Sequence, residues 1–338
     1  MKVRSISTLA NVVAAMLLAS GVATPAPAIN SPALPLQVVA DVPLGGNTTR
    51  LDYESIDAGR HLLFIAHLGD SAVIVFDTQK QRVVSRIGDV SDVHGVLAIP
   101  ELGVVYASAT GTNEVVAIDE ATLKITARVP AGVYPDGMAY APEVHKLYVS
   151  DEHGNTDTVI DVATNTRVAT IPLGGEVGNT QYDAASKHVF ANVQTRNQLV
   201  EIDPATDRVV DRIDLPGAEG NHGLLIVPEL RLAFIACEGN NKLLVLDLST
   251  KKLAASFQVG KDPDVLAFDH GRKLLYVASE SGVVSLFNVE SANVTKRGEG
   301  LLGPHAHVVA VDPDTHYAYF PLMNFGGRAV MRIMSPRP

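Results

Sequence analysis

Seven positions spaced 42 to 44 residues apart, Asp52, His94, Asp136, Gly178, His222, Asp264 and His307, hold six side chains that could ligate a metal or move a proton. Imidazole and carboxylate together suit Zn²⁺, Cu²⁺ or Fe²⁺, with aspartate as a ligand or as the group that orients a histidine. Three histidines and an open position would make a Lewis-acid or redox centre. His305-Ala306-His307 adds another imidazole, and in an extended stretch both rings would point to one side. The candidate metal ligands are therefore His94, His222, His307, His305, Asp52, Asp136 and Asp264. None sits in a short chemical signature: the chain has no HExxH, CxxC, GxSxG or P-loop, and no GxGxxG that a helix would follow. These residues can act together only if the fold gathers them.

The elements that would do so are most legible from residue 134 to 175. Met138–Ala141, Lys146–Ser150, Thr158–Val162 and Arg167–Leu173 are rich in Val, Ile, Thr and Tyr, as half-buried strands require. Each is closed by Pro, Gly, Asn or Asp. The unit recurs. The aromatic residue of its second strand, Tyr148, has counterparts in Phe64, Tyr106, Phe190, Phe234, Tyr276 and Tyr319. A second marker keeps step with it in the turn after the third strand: Asp77, Asp119, Asp161, Asp203, Asp247 and Asn288. The Asp-x-x-Thr pairs in that turn read as side chains bonding nearby backbone amides, since a motif present in most copies holds a fold.

Four strands per unit of about 42 residues is the period of a β-propeller. Val39–Gly46 matches the fourth strand of the module, and the last unit runs out of chain after its third strand, near Met334. The N-terminal strand should therefore complete the C-terminal blade and remove the open edges. The expected fold is all-β: one seven-bladed propeller over 29–338. Pro321 lacks a backbone donor, so its strand should be bent or locally unpaired.

In such a ring the first strand of each blade lines the channel, and its start shares a face with the loop between the second and third strands. Asp52, His94, Asp136, Gly178, His222, Asp264 and His307 each lie twelve residues before an aromatic anchor, which places them at one mouth of the channel. His67, His153, Glu152, Glu238 and Glu280 map to the same face, whereas His61, His145, His188, His270 and His316 fall at the opposite one and read as surface residues. The competing view is structural: a channel mouth is wet, and Asp or His there can bond loop amides and water. Asp136 and Asp264 each follow a proline, which is turn chemistry. The three glutamates could be acids or bases, though their loop setting favours solvated residues.

The start of the chain has another character. Lys2 and Arg4 precede an apolar run from Leu9 to Ala23, and Ala26-Pro27-Ala28 offers a cleavage site. That is the pattern of a secretory signal peptide over 1–28, with a run shorter than the roughly 20 residues of a membrane span. A periplasmic or secreted protein follows, with no membrane span after cleavage. Without Lys2 and Arg4 the chain has 25 basic against 37 acidic residues, which disfavours nucleic acid as a partner. Cys237 is alone, so no intramolecular disulfide can form.

Leu147-Tyr148-Val149-Ser150 and Leu275-Tyr276-Val277-Ala278, each followed by an apolar run and an Asp or Asn turn, resemble the YVTN-repeat (YncE-like) family of seven-bladed propellers. The resemblance covers essentially the whole mature chain; Phe190-Ala191-Asn192-Val193 and Pro321 depart from its motif. It implies the fold but little of the function, since the family includes scaffolds, binding proteins and enzyme subunits. Two functions follow as expectations. One is a binding propeller that takes a protein or small molecule at the mouth and a divalent metal on the His/Asp ring. The other is a metal-dependent hydrolase or lyase of lactonase type, or a redox enzyme, using the same ring.

Overall fold

The computed structural model describes residues 33–337, so the signal sequence read over 1–28 lies outside the described residues. Among the described residues, seven antiparallel sheets of four strands follow one another. Blades 1 to 6 span Glu54–Ile87, Val93–Pro130, Pro135–Pro172, Val177–Asp214, Asn221–Gln258 and Pro263–Leu301. Blade 7 takes its inner three strands from Ala310–Val311, Ala318–Leu322 and Val330–Pro336, and its outer strand from Leu36–Pro43 at the other end of the chain. That outer strand pairs antiparallel from Leu36↔Pro336 to Pro43↔Val330, with one register shift between Val38 and Ala40. The expected closure is therefore present. No helix among the described residues is long and apolar enough to cross a membrane.

The periodicity of the sequence explains the burial. Outer strands alternate exposed and covered positions, as in Arg82–Ile87 and Lys124–Pro130, because only one face has a neighbour. Second and third strands are buried on both faces and read as nearly continuous apolar runs. Among the described residues the core is divided into apolar clusters, each between two successive blades. The one between blades 7 and 1 joins Tyr319, Met331 and Ile333 to Leu63, Ile65 and Phe76, so the ring closes on a packed interface.

All seven aromatic anchors are buried on second strands, and two reach into the following blade: Tyr106 Oη donates to Asn165 Oδ1 at 2.7 Å, Tyr148 Oη to Asp207 Oδ1 at 2.6 Å. Phe234 fills the interface of blades 5 and 6 and is wholly buried. Phe234→Ala is expected to cost about 3–5 kcal/mol in urea denaturation, whereas Val168→Ala, half exposed on an outer strand, should stay within about 0.5 kcal/mol.

The turn aspartates have the structural role read from their recurrence. Asp119 Oδ1 accepts from Thr122 N and Oγ1, Asp161 Oδ1 from Thr164 N and Oγ1, and Asp203 Oδ2 from Thr206 Oγ1. Pro321 pairs with Met331 on one side, while the inner strand of blade 7 is cut to two residues and ends short of it. In blade 3, the most legible module, the strands are Pro135–Ala141, Lys146–Asp151, Thr156–Asp161 and Thr166–Pro172. The inner strand begins three residues earlier than its apolar run because proline is tolerated at a strand's first position and a bulge follows it.

Candidate functional site at the channel mouth

That bulge positions the site. In blades 2 to 6 the pairing of first and second strands slips between Val93/Val96, Pro135/Met138, Val177/Thr180, Asn221/Leu224 and Pro263/Leu266. The two residues inside each slip begin with the ring position: His94, Asp136, Gly178, His222 and Asp264. A bulge turns a side chain out of the pleat, here toward the channel. The residue after it is glycine in three of these blades, because the next blade presses on it, with its backbone at Gly95 and Gly223 and with the Asn179 side chain at Gly137. A Cβ at Gly95 would meet Asp136 O at 2.1 Å, and one at Gly223 would meet Asp264 O at 1.9 Å. Blade 4 has Gly178 at the ring position and offers Asn179 instead, whose Oδ1 accepts from Tyr53 Oη at 2.8 Å.

The ring faces a cavity of about 590 Å³, in the range of small-molecule sites. Asp52, Asp92, Asp136, Glu152, Glu238 and Asp264 line it, and Arg50 is the one arginine or lysine among the lining residues. Fields from six carboxylates in a concave mouth sum to a strong attraction for cations.

The three ring histidines are held alike. His94 Nδ1 lies 2.8 Å from Asp92 O and His307 Nδ1 3.0 Å from His305 O; a carbonyl only accepts, so Nδ1 carries the proton in both. His222 Nδ1 lies 3.3 Å from Gln194 Oε1, an orientation set by Gln194 Nε2 donating to Glu152 Oε1 at 2.9 Å. Each ring thus presents Nε2 to the site, the arrangement that prepares an imidazole as a ligand. What meets Nε2 differs. His94 Nε2 accepts from Tyr134 Oη at 2.9 Å and is satisfied. His222 Nε2 lies 3.3 Å from Tyr53 Oη, 3.8 Å from Asp136 Oδ2 and 3.9 Å from Asp264 Oδ1. His307 Nε2 is buried without a partner.

Among the described residues, two sets of donor atoms converge to within 4.8 Å: His222, Glu238 and Asp264, and Asp52, Asp264 and His307. Of the seven candidate ligands, five stand together at the centre. Asp136 is among them through His222, and its Oδ1 is buried and unpartnered. His94 stands apart on the Tyr134 side. His305 does too, and there the expected extended HxH does not occur. His305 has φ +52° and is exposed, so the stretch is not extended there, while His307 is buried at 2 % exposure; the two Nδ1 atoms still lie 3.3 and 3.7 Å from the same Glu280 Oε2.

The three glutamates are not solvated loop residues, as their setting suggested. Glu152, Glu238 and Glu280 are half-buried because the loops after the second strands fold over the mouth. Sequence reasoning missed Arg50, Tyr53 and Tyr134. Arg50, Tyr134 and His305 all stand two residues before a ring position, so the same count would have exposed them. On the opposite face His188, His270 and His316 pair with Glu201, Glu229 and Asp269, as surface histidines do.

Burial pushes the Asp136 and Asp264 carboxyls up, against the pull of His222. For His222 burial acts downward, but Glu238, Asp264, Asp136 and Glu152 outweigh it and raise its pKa from 6.5 to about 9. A histidine raised in the folded state contributes stability that is complete below its unfolded pKa and is lost as pH rises through the folded one. Metal-free protein is therefore expected to lose on the order of 3 kcal/mol of denaturation free energy as pH rises across that window. His222→Gln should flatten the slope; an unchanged slope would place the proton elsewhere.

No protein-family model and no curated protein sequence matches the chain. Solved structures do match in shape. A chain of Kuenenia stuttgartiensis hydrazine synthase superposes with a TM-score of 0.72 at 16% identity, over 83% of this chain and 94% of that one. A chain from a crystal structure of the mitotic checkpoint complex superposes with a TM-score of 0.74 at 12% identity, over 98% of this chain and 100% of that one. Likeness at such identities extends to the fold alone. The chain is a seven-bladed β-propeller, and its acidic, histidine-bearing mouth has to be understood from its own residues.

Proposed function

We propose that this chain is an exported binding propeller of the YVTN type that holds a divalent transition metal at its mouth through His222, Glu238 and Asp264. The observation that carries the reading is the convergence of these three donors at the floor of an open acidic cavity. One imidazole and two carboxylates suit Zn²⁺, Fe²⁺ or Cu²⁺, and the metal would neutralise charge that His222 otherwise offsets by staying protonated. The Tyr53 hydroxyl beside Asp264 would orient the carboxylate. Leu68, Thr110, Gly111, Glu152 and Glu238, from loops of four blades, line the cavity and offer a docking surface for a protein or a small molecule. Export is supported by the pattern of residues 1–28 and is compatible with Cys237, which is buried and whose thiol burial pushes up to about 12, far from reactive thiolate.

Protein recovered from the periplasm without a histidine tag or chelator is expected to carry near-stoichiometric Zn, Fe or Cu by elemental analysis, and to begin close to residue 29. Metal-free protein whose melting does not respond to added Zn²⁺ would end the metal reading. A second reading, hydrolysis or elimination on a lactone-like substrate, is favoured by one observation: three protein ligands beside a cavity of about 590 Å³ leave coordination positions for water and substrate. Metal-dependent turnover of a lactone panel would distinguish it from simple binding.

A further inference from the structure

Asp52, Asp264 and His307, the second convergent set, are all more than nine-tenths buried. His307 is fixed by its Nδ1–H, which donates to His305 O at 3.0 Å. In the neutral ring so held Nε2 is a lone pair, and it is buried with no donor to meet it. An unmet buried acceptor costs about 1–3 kcal/mol, so such an atom in a carboxylate cluster points to a missing electrophile. The nearest fixed cation is Arg50. Its Nε donates to Asp52 Oδ2 at 2.9 Å, one terminal nitrogen lies 4.0 Å from Asp264 Oδ2, and the other reaches Glu280 Oε1 at 2.5 Å. The guanidinium balances the carboxylates but does not cover the His307 lone pair. The Arg50 side chain is 40% exposed and already held at the rim by Glu280, so it can move outward without unpacking a blade.

We propose that Asp52, Asp264 and His307 form a second divalent-cation position, for which Arg50 is the built-in counter-ion, and that Asp264 is shared with the His222–Glu238 position. The inference deepens the metal reading of the mouth and rests on it. Arg50 and a metal compete for the same carboxylates, so the native chain fills the His222 position first. Displacing Arg50 creates a pair of cations bridged by one carboxylate, an arrangement that can grip two oxygens of one ligand.

The test is equilibrium dialysis of the full chain against Zn²⁺, followed by elemental analysis. Arg50→Gln is expected to raise bound zinc from about one to about two ions per chain, and Arg50→Gln/His307→Ala to return it to about one. Arg50→Met serves as an independent replacement at this half-exposed position. The proposal is overturned if neither Arg50 variant gains zinc, or if the added ion survives loss of His307. Failure of the His222 position looks different: native protein carries no zinc, yet Arg50→Gln gains an ion that depends on His307 and not on His222.

Discussion

His222→Ala protein is expected to lose its metal. Direct ligands should matter at least as much as the groups behind them, whose removal weakens metal binding about 10–100-fold, so a drop of roughly 100-fold or more in Zn²⁺ affinity is the expected size. Glu238→Ala and Asp264→Ala should fall in the same class, since their donors converge with the His222 ring within 4.8 Å. His94→Ala and His305→Ala should leave metal content unchanged. The first has its Nε2 occupied by Tyr134, and the second is exposed at the rim. His61→Ala, His145→Ala and His316→Ala, at the far face, are further controls.

Melting supplies an independent readout. Zn²⁺ at about 100 times its Kd should stabilise native protein by about 2.7 kcal/mol, roughly 5 °C for a domain of this size. The same addition should do nothing for His222→Ala. Equal metal content in His222→Ala and native protein would move the metal away from this position.

Removing the N-terminal strand is the second large effect. A chain beginning at residue 44 lacks Leu36–Pro43, leaving Val330–Pro336 as an unpaired edge. It also loses Leu36 from the interface of blades 6 and 7, and it uncovers Met331, Ile333 and Met334. Burial of a single such side chain contributes about 1.5–3 kcal/mol, so the sum is comparable to the whole stability of a domain. The truncated chain should be insoluble or melt more than about 10 °C lower, and a peptide of residues 33–46 added in trans should restore part of the loss. Asp41→Ala isolates one contact of that strand, the bidentate pair with Arg332 at 2.8 Å, and should cost about 1 kcal/mol or less because Asp41 is partly exposed. Unchanged melting of the truncated chain would mean that closure contributes little to the fold.

Much of this architecture is legible in the sequence. Tyr148 and its six counterparts keep their spacing because each fills the same place between two sheets, and a buried aromatic cannot shift by one residue without turning to the other face. Asp161 and its copies keep step because a turn needs an acceptor at a set distance from its amides. The match of Val39–Gly46 to the fourth strand of blade 3 announces the closure, since an outer strand has the same alternation wherever in the chain it is encoded.

The site is legible only as a set of residues. Counting back twelve residues from each aromatic finds Asp52, His222, Asp264 and His307, yet nothing in that count separates His222 from His94. The difference is that Tyr134 reaches one Nε2, whereas carboxylates surround the other. Nor can it show that Arg50 spans from blade 1 to Glu280 of blade 6, a pair 230 residues apart. Period, strand count, core and closure are local or repeating properties, and local sequence determines them. Which donors converge depends on the bulges that aim each ring residue and on neighbours brought round a closed circle. Only the tertiary structure decides that, because a metal or a proton responds to a few ångströms of separation between side chains that lie far apart along the chain.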